Sequence, residues 1–124
     1  MKTIYDLSEL SLPPNHINTL RILLGNIKRS DLDLKKIILF GSCAREEAIA
    51  TSDLDIIVVG PADDDNKLHF AFMDCEPDPY DNVPIESLYY TAESFNSGAL
   101  LPFNAPWYAV KEGIAFDDAL FRRA

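Results

Sequence analysis

Asp53 and Asp55 are the residues whose type and spacing best fit catalytic chemistry. They open the apolar run 53–59, and ten residues separate Asp53 from the Gly41-Ser42 pair that ends an earlier apolar run. Because side chains alternate along a strand, both carboxylates lie on one face, with Cα atoms roughly 6.6 Å apart. Two adjacent anions repel each other and lose hydration unless a cation neutralises them. Magnesium takes one or two carboxylates and completes its octahedron with phosphate oxygens, so the pattern indicates a metal-bound nucleoside triphosphate.

The elements that must position these groups can be inferred from the flanking residues. Residues 37–40 are a β-branched and aromatic run bounded by a turn signal, which predicts a buried strand. Gly41 lets the backbone bend and lets an anionic ligand approach the main chain, while Ser42 offers a hydroxyl and an N–H donor. Residues 43–50 are good helix formers, so Ser42 is expected to cap a helix whose N-terminus binds phosphate.

The remaining elements follow from periodicity and turn residues. A first helix is predicted from the proline pair at 13–14 to about residue 30, with an apolar stripe that packs on the sheet. The other predictions are strands at 53–59 and 85–91, helices at 93–100 and 105–112, a helix or alternatively a strand at 68–75, and a loop at 77–79. The fold class is therefore α/β (α+β), a small mixed β-sheet with helices mainly on one face and the acids at its strand ends.

Several motifs in the chain resemble the signature of a known family. The resemblance is carried by Phe40-Gly41-Ser42-Cys43-Ala44-Arg45, by Ser52-Asp53-Leu54-Asp55, and by the segments 84–95 and 110–114. Together they are similar to the DNA polymerase beta nucleotidyltransferase superfamily, specifically its minimal nucleotidyltransferase (MNT) branch. Segment 84–95 resembles the third catalytic strand and the start of the helix after it. The resemblance runs from about residue 34 to about residue 116.

The resemblance implies a reaction and a set of metal ligands. The reaction is transfer of a nucleoside monophosphate from a nucleoside triphosphate to an acceptor hydroxyl, with pyrophosphate leaving, and two magnesium ions would clamp the attacking and leaving oxygens. Asp53 and Asp55 would bridge both ions, and Glu86 would hold the ion nearer the acceptor and help take its proton. The family usually has Asp where this chain has Glu86, and the extra methylene shifts the carboxylate by roughly one bond length.

The resemblance also implies contacts to the triphosphate. Gly41 and Ser42 would contact the terminal phosphates, and Arg45 would add a cation. Many relatives carry Gly at the position of Glu46, where a helical Glu is expected to be acceptable.

Each candidate has a structural alternative. Asp53 and Asp55 would serve as a solvated turn and cap. Glu86 would keep an exposed sheet edge from pairing with another strand. Arg45 would form a surface pair with a Glu on its own helix. The two histidines show no partner spacing, so His16 is expected to cap a helix or face solvent, and His69 to lie on a partly exposed face.

Composition limits the architecture and the partners. A chain of 124 residues, 48% of them hydrophobic, predicts one domain over 1–124, with an N-terminal helix in 1–33, a catalytic core in 34–116 and a tail in 117–124. The net charge of −9 argues against an extended nucleic-acid surface, which needs clustered Lys and Arg. The acidic runs 63–65 and 74–81 are expected to be solvated loops that could dock a basic partner.

Cysteine usage and apolar runs bear on the compartment. Cys43 and Cys75 lack metal-ligand spacing, and no signal-like apolar segment follows Met1. They are interpreted as reduced thiols of a cytoplasmic protein, and no apolar run reaches the length of a membrane span.

Two main function classes follow. The first is an active nucleotidyltransferase that moves a nucleoside monophosphate, with ATP and AMP favoured by the resemblance, to a hydroxyl on another macromolecule. MNT proteins are commonly antitoxins paired with an all-helical HEPN toxin, and some transfer AMP to a tyrosine of that toxin. The alternative is a binding protein that keeps the fold and acts by association. An antibiotic-modifying transferase is a third option, although such enzymes generally need extra helices to hold the acceptor.

Overall fold

A mixed sheet organises the part of the chain that this computed structural model describes, residues 1–30, 32–61 and 83–122. Its strands are β1 (Lys2–Ile4), β2 (Lys36–Phe40), β3 (Leu54–Val59), β4 (Ile85–Tyr90) and β5 (Ile114–Phe116). Their order across the sheet is β1-β5-β2-β3-β4. β2 runs antiparallel to both of its neighbours, whereas the β3–β4 and β1–β5 pairs are parallel. The predicted α+β class with a mixed sheet is confirmed.

Helix α1 (Pro14–Arg29) covers one face of the sheet. Pro14 occupies the first turn, where its missing N–H has no intrahelical partner to lose, and Lys28 and Arg29 lie at the negative end of the helix dipole. The buried stripe of α1 packs against inward-facing residues of β2 and β3, and this core contains Leu20, Leu23, Leu24, Ile27, Ile37, Leu39, Leu54, Ile56 and Val58. The first helix is therefore confirmed, both in its bounds and in its packing.

Helices α2 (Ala92–Ala99) and α3 (Ala105–Glu112) cover the opposite face. Phe95 of α2 and Ala109 of α3 pack there with Ile38, Ile57 and Val59. The described helices thus divide between the two faces, whereas the sequence analysis expected them mainly on one. α2 begins at its Thr91 cap, and Pro106 falls in the first turn of α3, where a proline is tolerated, so it does not interrupt that helix.

Alternation along β3 explains how it contributes to both cores. Leu54, Ile56 and Val58 face α1, and Ile57 and Val59 face α2 and α3. All five are buried, as expected for a central strand with both faces covered. Asp55 is the one β3 residue that is only partly buried, and it points to the face that carries α2 and α3.

Several predictions concern residues outside the described ranges. They are the element at 68–75, the loop at 77–79, the acidic runs 63–65 and 74–81, His69 and Cys75. Of the helices within the described ranges, none combines the length and the apolar character that crossing a bilayer requires.

Candidate active site

Asp55 and Glu86 lie side by side at one end of the sheet. β3 and β4 pair in parallel with Asp55 directly opposite Glu86, and on its other side Asp55 pairs with Phe40, the last residue of β2. Residues opposite each other on adjacent strands project to the same face, so the two carboxyl groups meet. A hydrogen bond joins their side chains. The structure therefore brings together two of the three acids that the sequence analysis named.

The environment of this pair favours the protonated form of Asp55. Burial is the main cause that raises the pKa of Asp55 to about 6, and the hydrogen bond to Glu86 and the charges of Glu86 and Asp53 contribute to the same rise. Arg45 acts in the opposite direction. Below about pH 6 the protonated Asp55 carboxyl donates a hydrogen bond to Glu86, and the shared proton removes the repulsion between the two groups. Burial and neighbouring carboxylates both disfavour the charged form of Asp55, and a bound cation would offset both effects.

Gly41 brings the backbone of the turn against the Asp55 carboxylate. Its φ is +71°, a left-handed conformation that L side chains rarely adopt. A Cβ on Gly41 would lie 2.6 Å from Oδ2 of Asp55, which is closer than non-bonded atoms can approach. From the sequence, Gly41 was predicted to allow close approach of a ligand to the main chain. The structure adds a steric reason for glycine, since no side chain fits between the turn and the acid.

A cavity of about 370 Å³ opens beside the two acids. Its lining combines the carboxyl groups with apolar and hydroxyl side chains, and consists of Phe40, Asp55, Glu86, Ser87 and Leu88. This volume lies within the range of roughly 300–1,000 Å³ that is usual for small-molecule sites. The cavity can therefore receive a ligand that has both a charged and an apolar part.

Asp53 lies immediately before β3, where one side-chain and one main-chain hydrogen bond fix the backbone. The Cys43 thiol donates to the Asp53 carbonyl at 3.3 Å, and the Leu54 N–H donates to the Pro84 carbonyl at 2.9 Å. The negative charge of Asp53 contributes to the raised pKa of Asp55. Within residues 1–30, 32–61 and 83–122, however, no three His, Cys, Asp or Glu side chains form a group that could hold a metal ion. Of the three acids that were predicted to converge, the structure brings Asp55 and Glu86 together, and Asp53 lies near enough for its charge to raise the pKa of Asp55.

The segment after Gly41 is a turn and not the predicted helix. Gly41–Cys43 is a short 3₁₀ helix, and residues 44–50 contain no α-helix. Glu46 has φ +60°, and the Glu47 N–H donates to the Ser42 carbonyl at 2.9 Å. A left-handed residue followed by such a bond is the arrangement that stops helices. The predictions of a helix at 43–50, of Ser42 as its cap and of a helical Glu46 are therefore wrong.

The reason for this difference is tertiary. Cys43 is buried, and its thiol donates a hydrogen bond to the Asp53 carbonyl. The chain therefore has to reverse direction after a single helical turn to reach β3. Burial, followed by the charge of Asp55, raises the pKa of Cys43 to about 11, which keeps the thiol protonated and able to donate. Phosphate binding at Gly41 and Ser42 cannot draw on a helix dipole here. It would depend on the backbone and hydroxyl groups of the turn itself.

Arg45 is paired with two carboxylates. Its Nε lies 3.1 Å from Oε2 of Glu47, and its Nη1 lies 3.2 Å from Oε1 of Glu112 in α3. It lines a second cavity of about 300 Å³, separate from the one beside the acid pair. The structural alternative for Arg45, a surface ion pair with Glu, matches this geometry. The two partners lie on the turn and on α3, and not on a helix shared with Arg45. Such exposed pairs are weak, about 0–1 kcal/mol, so a phosphate could displace either Glu.

A comparison with known families decides the class of this protein. The family model described as a nucleotidyltransferase domain matches residues 20–98, more than half of the chain. The chain belongs to the nucleotidyltransferase domain family. No curated protein and no solved structure matches it. The superfamily inferred from the motifs is therefore confirmed, and nucleotidyl transfer is its general chemistry, while assignment to the MNT branch stays a prediction.

The acids of this nucleotidyltransferase domain provide suitable ligands for a divalent cation. Asp53, Asp55 and Glu86 all lie in the region that the family model matches, and all three offer the hard oxygen atoms that such a cation prefers. Burial first, and then the hydrogen bond and the negative charges of the neighbouring acids, raise the pKa of Asp55. The family implies a nucleoside triphosphate as substrate and typically a divalent metal with it, and the adjacent Asp55 and Glu86 carboxyl groups provide two of the oxygen ligands that such a metal takes.

Two polar residues of α1, just before the region that the family model matches, have a burial that the sequence did not predict. His16 was expected to cap a helix or face solvent, but its side chain is fully buried, and so is that of Thr19. The prediction for His16 is wrong because position 16 continues the buried stripe of α1 by one turn, four residues before Leu20. The four-residue spacing between His16 and Leu20 indicates that position 16 is buried. The prediction of an exposed or capping His16 relied instead on the polarity of the imidazole.

Proposed function

We propose that this chain transfers a nucleoside monophosphate, AMP from ATP, to a hydroxyl group on a partner protein in a magnesium-dependent reaction. The observation that carries the proposal is the Asp55–Glu86 pair, packed against the Gly41 turn at the mouth of a cavity of ligand size. Membership of the nucleotidyltransferase domain family supports the reaction class. The base, the metal and the acceptor are proposals that go beyond it.

Asp53, Asp55 and Glu86 would hold the metal in this scheme. When bound, Mg²⁺ would neutralise phosphate charge and order the triphosphate for in-line attack. Asp55 has to lose the proton that it shares with Glu86 before it can act as a ligand, so its carboxylate is available above about pH 6. Glu86 is the more exposed of the two and lies where an acceptor can reach it, so it would take the proton of the attacking hydroxyl.

The turn and the cavity wall would bind the rest of the substrate. Gly41 has no side chain, so a phosphate can approach its backbone, and Ser42 would donate its hydroxyl. Phe40 offers the nucleoside an apolar surface in the same cavity as the acids. Arg45 would leave Glu47 and Glu112 to bind phosphate only if the gain exceeds these two exposed pairs.

The proposed acceptor is a hydroxyl of a partner protein, with a helical HEPN-type toxin as the specific candidate. Sequence resemblance to the MNT branch is the support for this step, because MNT proteins are commonly the antitoxins of such pairs. A small helical protein encoded beside this chain would be the first acceptor to test.

Labelling from ATP that carries ³²P at the α-phosphate tests the proposal. We expect label on the partner protein in the presence of Mg²⁺ and none from γ-labelled ATP, because the monophosphate is transferred and pyrophosphate leaves. Asp53→Asn, Asp55→Asn and Glu86→Gln should each reduce labelling by about 100-fold or more. Glu93→Gln, which removes an exposed carboxylate from α2, is the matched control and should leave labelling unchanged.

A binding protein is the second candidate, because Glu86 stands where the family usually has Asp. Glu86→Asp separates the two functions. An active enzyme with a slightly displaced ligand should gain transfer when the shorter side chain is restored. If ATP binds in the presence of Mg²⁺ but neither the wild type nor Glu86→Asp labels any partner, the enzymatic proposal is wrong and the binding function remains.

A further inference from the structure

Two polar side chains on α1 are completely buried beneath the acid-bearing end of the sheet. His16 and Thr19 each have 0% exposure, and they are the buried polar residues among those that the structure describes. They lie three positions apart, so they share one face of the helix. The motif of the family includes neither of them, and neither contacts the cavity beside the acid pair.

The His16 side chain is hydrogen-bonded to Ser52, the residue that precedes Asp53. Its Nε2 lies 2.6 Å from the Ser52 carbonyl oxygen, and because a carbonyl only accepts, Nε2 carries the ring proton and donates. The other ring nitrogen, Nδ1, is buried and has no hydrogen-bond partner within the described residues. An apolar side chain would avoid this unsatisfied atom, so the packing of the core alone does not account for a histidine here.

The Thr19 side chain is hydrogen-bonded to the segment that leads into β4, the strand that carries Glu86. Its hydroxyl donates to the Asn15 carbonyl at 2.8 Å and accepts from the Val83 N–H at 3.1 Å. Val83 lies three residues before Glu86 and just before β4. The Thr19–Val83 bond is buried, and water is therefore a poor substitute for it.

The two bonded segments are also joined to each other. The Leu54 N–H donates to the Pro84 carbonyl at 2.9 Å, which links the residue after Asp53 to the residue after Val83. One turn of α1 thus fixes the chain directly before both acid-bearing strands, and a backbone bond connects the two fixed points. We call these contacts of His16 and Thr19 the α1 tie.

We infer that His16 and Thr19 are positioning residues, which through the α1 tie align β3 and β4 so that the Asp55 and Glu86 carboxyl groups lie side by side and can bind a divalent cation. The inference depends on the proposed function for its metal. The tie itself is a property of the fold and can be tested separately. A small displacement of either strand would move its carboxylate relative to the others, and residues that orient metal ligands typically matter about 10- to 100-fold in affinity.

Thr19→Val and Thr19→Ser are the informative pair of variants. Valine keeps the shape of threonine but cannot accept from the Val83 N–H, whereas serine keeps the hydroxyl. Ile27→Val is the stability control, because Ile27 is buried on the same face of α1 but two turns away from the tie. His16→Leu and His16→Gln form a second pair, since a glutamine amide can still donate to the Ser52 carbonyl.

Amide hydrogen exchange tests the tie without any ligand. In Thr19→Val we expect the Val83 and Leu54 amides to exchange about tenfold faster or more, with the amides of β2 unchanged, because only the local tie is lost. Thr19→Ser should behave like the wild type. If Val83 keeps its protection in Thr19→Val, the inference is overturned.

Binding of Mn²⁺·ATP, followed by electron paramagnetic resonance, tests the positioning role. Thr19→Val and His16→Leu should weaken Mn²⁺·ATP binding by about 10- to 100-fold. Ile27→Val should bind Mn²⁺·ATP like the wild type, even if its Tm is equal to or lower than that of Thr19→Val. Equal losses in Thr19→Val and Ile27→Val would mean that the residue acts through stability alone, which overturns the inference. If wild-type protein fails to bind Mn²⁺·ATP, the proposed function loses its metal, and the exchange result still decides whether the tie exists.

Discussion

At the scale of single residues, the candidate site depends on a contact between a residue without a side chain and a carboxylate. Two features require a glycine at position 41. The backbone has a left-handed φ of +71°, and the Asp55 carboxylate lies where a Cβ would be in contact with it. The motif pointed to Gly41 as a contact for phosphate. Its contact with Asp55 needed the three-dimensional structure, because thirteen residues of chain lie between them.

We expect Gly41→Ala to reduce both stability and nucleotide binding. A left-handed alanine costs about 1–2 kcal/mol, and its Cβ would push the Asp55 carboxylate away from Glu86. Gly25→Ala in α1 is the matched control, because the added Cβ meets only an Arg29 side-chain atom at 3.3 Å. That variant should gain about 0.5–1 kcal/mol from helix propensity. Urea denaturation and ATP titration measure both effects, and equal stability of the two variants would contradict the expectation.

We expect Asp55→Asn to stabilise the metal-free protein at neutral pH. The folded-state pKa of Asp55, about 6, lies above the ordinary Asp value of 3.8 that applies to the unfolded chain, so the folded state binds more protons between these two pH values. Stability therefore falls as pH rises through this window, and it stays lower above it. The asparagine variant should be more stable than wild type at pH 7 by about 1 kcal/mol after solvent screening. The difference should disappear below pH 3.8.

Urea denaturation at several pH values checks this prediction for Asp55. Glu93→Gln serves as the control for the loss of an exposed carboxylate and should show no comparable gain. Added Mg²⁺ should reduce the advantage of the asparagine variant, because a cation that binds the folded wild type stabilises it. An advantage of the same size at low and at neutral pH would contradict the linkage.

At the scale of elements, the turn after β2 shows how tertiary contacts override local propensity. Residues 43–50 have the composition of a helix, and the structure stops them after one 3₁₀ turn. The buried Cys43 thiol and the need to return to β3 impose that stop. By contrast, α1, α3 and the strands followed the periodicity of the sequence, because their apolar faces are what the sheet buries.

We expect Glu46→Gly to stabilise the protein by about 0.5–1 kcal/mol. Glu46 has φ +60°, which costs a residue with a Cβ about 1–2 kcal/mol, and glycine removes that cost while adding some freedom to the unfolded chain. Glu46→Gln is the control, since it removes the charge and keeps the strained backbone. Thermal unfolding of the three proteins checks this. A glutamine variant as stable as the glycine variant would assign the gain to charge.

At the scale of the whole molecule, the net charge of −9 opposes the approach of the proposed substrate. ATP without metal is a polyanion, and like charges repel over a Debye length of about 10 Å at 0.1 M salt. The acids at the cavity add to this field locally. A divalent cation reduces the charge on both partners, which is consistent with a site that works on metal-bound nucleotide.

We expect the affinity for metal-free ATP to rise a few-fold between about 10 and 150 mM NaCl, because salt screens the repulsion. Adenosine has no charge and should bind with an affinity that does not depend on salt. Isothermal titration with EDTA present measures both ligands. A fall in ATP affinity with salt would instead indicate a dominant cationic site, for example around Arg45.

The sequence by itself determined the family, the mixed α+β class, most helices and strands, and the identity of the candidate acids. Those features are local, since they depend on periodicity and on motif spacing. The tertiary structure decided which acids touch, that helices cover both faces, that Gly41 faces Asp55, and that His16 is buried against the backbone before Asp53. These contacts join residues far apart in the chain, and their geometry depends on strand register and on burial that no short segment specifies.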